Sequence, residues 1–136
     1  MTLRNKKRLP ASPQEWMLHA DSDLALAKIA SKSEDILNEQ ICFHAQQAVE
    51  KAIKAVLLFY KIDFPLTHDI DELIDLLEDT NIILPNDISD SVSMLTPYAV
   101  ETRYPGYWEE VTEYDVNDAI ETAAKVLGWV KDIITS

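Results

Sequence analysis

The stretch that decides the fold is Cys42-Phe43-His44-Ala45-Gln46-Gln47-Ala48-Val49-Glu50-Lys51-Ala52-Ile53-Lys54-Ala55-Val56-Leu57-Leu58. Positions 41, 45, 48, 49, 52, 53, 56 and 59 hold Ile, Ala, Ala, Val, Ala, Ile, Val and Phe, a stripe at helical spacing that predicts one buried face. A second row, His44, Gln47, Lys51, Lys54, Leu58 and Lys61, advances by threes and fours and stays mostly polar. The alanines let a neighbouring helix approach closely, so this segment reads as the central helix of a bundle, running from about Glu39 to Tyr60.

Outward from it the chain reads as further helices. Ser12-Pro13-Gln14-Glu15 is a capping box with proline at the first helical position, and Met17, Ala20, Leu24 and Ala27 repeat as a seam up to about Ser31. Asp63-Phe64-Pro65 ends the central helix. Thr67 is then expected to cap a short third helix, with Ile70, Leu73, Ile74 and Leu77 inward and Asp71, Glu72, Asp75, Glu78 and Asp79 outward. Pro85-Asn86 opens a fourth with Ile88, Val92 and Leu95 as its stripe and Pro97 as a kink. Thr112-x-x-Asp115 opens the last, carried by Val116, Ala119, Ala123, Val126, Val130 and Ile133. The fold class that follows is all-α, an antiparallel bundle of four to five helices. Residues 1–11 read as a basic flexible tail and 12–136 as the bundle domain.

Composition narrows the function. Two glycines and six prolines leave little room for the turns of an all-β protein, and no window approaches the roughly eighteen apolar residues of a membrane helix. The basic N-terminus (Arg4, Lys6, Lys7, Arg8) has no apolar run behind it, which argues against a secretory signal and for a cytoplasmic protein. The lone Cys42 reads as a small buried hydrophobe rather than a nucleophile. Twelve basic residues face twenty-four acidic ones. Four of the basic ones lie in the first eight positions, so residues 9–136 carry eight against twenty-four, a net of −16. Such a body repels duplex nucleic acid; the acidity suits solubility, or a basic partner. No paired Glu-x-x-His strings, glycine-rich phosphate loop, zinc spacing or nucleophile elbow occurs, so no metal and no cofactor are expected.

Three pieces in order, Gln46-Gln47-Ala48-x-Glu50-Lys51-Ala52-x-Lys54-Ala55-x-Leu57, Thr67-His68-Asp69-Ile70-x-x-Leu73 and Arg103-Tyr104-Pro105, resemble the HEPN family over roughly residues 14–134. The resemblance implies a helical bundle that pairs into a homodimer. It also implies a small protein encoded beside a minimal nucleotidyltransferase, in a pair that behaves as toxin and antitoxin. Many members are metal-independent ribonucleases with an Arg followed after four to six residues by a His. In such a pair Arg steadies phosphate charge and His handles the proton of the ribose hydroxyl. Here Arg103 lies in the corresponding region, but no His follows; His19, His44 and His68 are all upstream.

The chain therefore reads as a binding partner of a minimal nucleotidyltransferase rather than an enzyme. Two alternatives stay open: a divergent ribonuclease using Arg103 with Tyr104 or a remote histidine, and a non-catalytic nucleotide- or RNA-binding module. Tyr98, Tyr104, Tyr107, Trp108 and Tyr114 gather around Arg103, suiting base stacking, an interface, or a plug for the bundle end. Candidate ligand or interface residues are His44, Gln47, Lys51, Lys54, His68, Tyr107 and Trp108. The plainer reading of His68 is structural, its ring satisfying a turn carbonyl beside Thr67. Glu50 and Lys54 form an i,i+4 pair of the kind that contributes about 0.2–0.5 kcal/mol on an exposed face.

Overall fold

The computed structural model describes residues 11–99 and 109–135. Residues 1–10 of the expected tail lie outside that set. The described chain forms α1 (Pro13–Ala30), α2 (Asn38–Phe59), α3 (Ile70–Asp79), α4 (Asn86–Val92), a short 3₁₀ helix (Ser93–Ala99) and α5 (Glu113–Ile134). No strand occurs among the described residues, and the all-α expectation holds.

Both anticipated capping boxes form. Ser12 Oγ accepts the Glu15 N–H and Glu15 Oε1 accepts the Ser12 N–H, each at 3.1 Å, with Pro13 where its missing N–H costs nothing. Thr112 and Asp115 do the same at the head of α5, at 3.2 and 2.9 Å. The head of α3 differs from expectation. Asp69, not Thr67, is the cap, its carboxylate accepting the Asp71 N–H at 2.9 Å. Thr67 sits two residues earlier, accepting the Asp69 N–H and donating to Glu72. Beyond α4 the chain does not kink at Pro97. It tightens into the 3₁₀ helix from Ser93, because an α-helical Pro97 would press its ring on the Ser93 carbonyl four residues back.

Small residues explain how the long helices meet. Ala20, Ala27, Ala45, Ala48 and Ala52 are fully buried, letting α1 and α2 pack closely as an antiparallel hairpin. Trp16 near the start of α1 lies over Lys54 near the end of α2, while Asp23 in mid-α1 reaches His44 and Lys51. The connection through α3, α4 and the 3₁₀ helix returns the chain to the end where α2 began. There Asn38 Nδ2 donates to the Val111 carbonyl at 2.9 Å, and α5 runs alongside α2. The α3 stripe is buried as read, and its carboxylates face solvent. Among them Asp71 is held above the usual carboxylate value of 3.8, first by partial burial and then by the charges of Asp69 and Asp75.

Helices α2 and α3 both end on a residue in the left-handed region, Lys61 (φ 59°) and Asn81 (φ 65°). At each, the next amide reaches back five residues, Ile62 N–H to the Leu57 carbonyl at 2.8 Å and Ile82 N–H to the Leu77 carbonyl at 2.9 Å. Asn tolerates this conformation; Lys does so at a cost of about 1–2 kcal/mol. Glycine would relieve that cost while losing more chain entropy on folding. Lys61 is exposed, so Lys61→Gly is expected to raise stability by about 0.5–1 kcal/mol. The check is a higher urea midpoint at unchanged slope.

Candidate functional site

Two polar clusters are set into α2. The first is buried. Gln46, Glu50 and Lys54 stand one turn apart, and Glu50 and Lys54 are only 2% and 7% exposed. Lys54 Nζ donates to Glu50 Oε2 at 3.0 Å. His68 Nδ1 lies 3.0 and 3.2 Å from the two Glu50 oxygens. Gln46 Nε2 donates to the His68 carbonyl at 3.3 Å and approaches Glu50 Oε1 at 3.4 Å, while its own oxygen accepts from Gln47 at 2.7 Å. The ammonium of Lys54 also sits 5.6 Å from the ring centre of Trp16 and 5.8 Å from that of Phe64, which meet edge to face. The second cluster joins α1 to α2: Lys51 Nζ donates to Asp23 Oδ2 at 2.6 Å, and His44 Nδ1 lies 3.4 Å from Asp23 Oδ1.

The arrangement has one chemical consequence. A carboxylate can only accept, so in the neutral His68 ring Nδ1 carries the hydrogen and Nε2 keeps its lone pair. That ring is 71% exposed, on a carboxylate that is 3% exposed. A buried acid thus presents an oriented imidazole to solvent, the pairing that sets a base or a ligand nitrogen in other proteins. Lys51 and Lys54, by contrast, are each neutralised by a carboxylate. A cleft of about 200 Å³ beside them is lined by Ala11, Glu15, Trp16, His19 and Lys51 and is mostly apolar. A wider groove of about 510 Å³ lies between the α1–α2 connection and the start of α5; among the described residues that line it Lys32 is the only Lys or Arg, set among Glu34 and Glu113. Among the described residues no group of three His, Cys, Asp or Glu could hold a metal ion, and no helix is long and apolar enough to cross a membrane.

The candidates read from the sequence divide accordingly. Gln47, Lys54 and His68 converge on Gln46 and Glu50; His44 and Lys51 converge on Asp23. One expectation is corrected: His68 turns its ring to Glu50 rather than to a turn carbonyl. Lys54, in a row that is mostly polar, is buried against two aromatic rings. Gln46, Glu50, Asp23, Trp16 and Phe64 were not among the site candidates. The i,i+4,i+8 spacing of Gln46, Glu50 and Lys54 was the available signal for two of them; nothing local marked Trp16. Arg103, Tyr104, Tyr107 and Trp108 lie outside the described residues. Of the other aromatics, Tyr98 packs on the core and Tyr114 is exposed.

Comparison with known proteins gives a consistent result. Residues 13–133 match the HEPN domain family. The chain is 30% identical to a Methanocaldococcus jannaschii protein named "Putative toxin MJ1304", over 88% of this chain and 86% of that one. It superposes on the crystal structure of ST0689, described as an archaeal HEPN homologue, with a TM-score of 0.73 and 30% identity, covering 92% of this chain and 99% of that one. The crystal structure of TT1696 from Thermus thermophilus gives a TM-score of 0.71 at 27% identity, covering 88% and 96%.

Proposed function

This chain belongs to the HEPN domain family, and we propose that it is the HEPN half of a toxin–antitoxin-like pair, a homodimer that binds a minimal nucleotidyltransferase. The observation that carries this reading is the match along most of both chains with the protein named "Putative toxin MJ1304". The sequence adds that no histidine follows Arg103, so the recognised ribonuclease pair is missing. The α2 cations support a protein partner over a polyanion, because Lys51 and Lys54 are already neutralised by Asp23 and Glu50. Native mass spectrometry of the protein isolated from its own host tests the reading. The expected species contains a second, nucleotidyltransferase-sized chain; a bare homodimer would remove the partner.

A second reading, a ribonuclease of a different layout, draws on His68 held by Glu50. It expects RNA cleavage that is lost in His68→Ala while the helical circular dichroism is kept. Cleavage unchanged in both His68→Ala and Arg103→Ala would indicate a contaminating nuclease.

A further inference from the structure

We propose that the outward face of α1 is the surface on which two copies of this chain pair, α1 against α1, antiparallel about the midpoint between Ser22 and Ala25. The proposal rests on the homodimer of the reading above and supplies its surface.

An amphipathic surface helix keeps one face polar. Helix α1 does not. Its core row, Met17, Ala20, Leu24, Ala27 and Ala30, is buried, yet the opposite face carries Leu18 (70% exposed), Ala25, Leu26 (45%) and Ile29 (71%) around Ser22. Single exposed apolar residues are ordinary, but these share one face over three turns. The acids of α1 are engaged: Glu15 closes the capping box at the head of the helix, Asp21 pairs with Lys131 at 2.8 Å and Asp23 with Lys51. The stripe is thus a charge-poor band on a body whose net charge is −16 from residue 9 onward, where two copies repel each other least.

The face is complementary to itself in one arrangement. A two-fold axis between Ser22 and Ala25 sets Leu18 opposite the second copy's Ile29, small Ser22 opposite small Ala25, and Glu15 opposite Lys32, which follows directly on α1. Parallel pairing would oppose Glu15 to Glu15 and Lys32 to Lys32. A slip of one turn would set Ile29 against Glu15. A lone helix pair is at the small end of stable interfaces; Ile36 (42% exposed) and Leu37 (62%), just past Lys32, widen the apolar band.

Sedimentation velocity of the purified chain tests this. Wild type is expected to be a dimer. Leu18→Glu should weaken the dimer roughly tenfold or more, since symmetry counts each change twice. Adding Ile29→Lys to Leu18→Glu should restore it, in a salt-sensitive form, because the two positions face each other. Ile83→Glu, at an exposed apolar residue away from α1, should leave it unchanged. A monomeric wild type, or a Leu18→Glu variant that stays dimeric, would overturn the proposal; if that variant instead loses the second chain seen by native mass spectrometry, the face belongs to the partner. A dimer broken as expected while the second chain is never captured would leave this surface standing and remove the partner reading alone.

Discussion

Glu50→Ala is expected to destabilise the protein by about 3–5 kcal/mol, the usual consequence of stripping one member from a buried ion pair. In a domain of this size a thermal-unfolding scan reads that as a fall of roughly 10 °C or more. The cause is what remains: the Lys54 ammonium, 7% exposed, with two aromatic rings and a solvent-facing imidazole but no carboxylate. Two rings near 6 Å offset only part of that loss, since a cation–π contact contributes about 0.5–2 kcal/mol. The double variant Glu50→Leu with Lys54→Met removes both charges and keeps the volume, so it should recover most of the loss. His68 can turn to water, and Gln46 keeps the His68 carbonyl and Gln47. A Glu50→Ala protein as stable as wild type, or a double variant no better than the single, would mean that the pair is not desolvated as described.

That experiment marks where the sequence stops being legible. The two capping boxes, the α1 seam and the inward row of α3 are local patterns, fixed by residues three or four apart, and they form as read. The α3 cap slipped by two residues because Thr67 and Asp69 are both good capping types and only the backbone path chooses between them. Lys54 was out of reach for a different reason. Its row looks solvated because Gln, Lys and His flank it, and it is buried only because Trp16 of α1 and Phe64 of the α2–α3 connection close over it. His68 follows the same rule: it lies in the α2–α3 connection, and its partner, Glu50, is eighteen residues back on α2. Asp23 entered no motif, and became part of a site when α1 folded back on α2.

Leu57→Ala and Phe59→Ala make the same point as an expected ranking. The stripe on α2 includes Phe59 and omits Leu57, so the sequence pattern alone would make Phe59 the costlier loss. The structure reverses them. Leu57 is fully buried, and its truncation should cost about 2–5 kcal/mol through lost burial and the cavity left behind. Phe59 is 37% exposed and meets the exposed Tyr60 ring edge to face, so its loss should stay below about 1 kcal/mol. The reason is the length of the neighbours. Trp16, in the first turn of α1, already lies over Lys54, so the last turn of α2 runs past the end of α1. Leu57, one turn on from Ile53 and two from Glu50, is on a side of α2 that a single stripe leaves out. Residues 52 to 57 are buried without a break, because α1, α3, α5 and the 3₁₀ helix all pack on α2. A helix wrapped in this way has no fully solvated side for its polar residues, which is why Gln46, Glu50 and Lys54 must satisfy one another. Urea denaturation of the two variants decides the matter: equal losses, or a larger loss at Phe59, would restore the one-sided helix that the sequence pattern suggests.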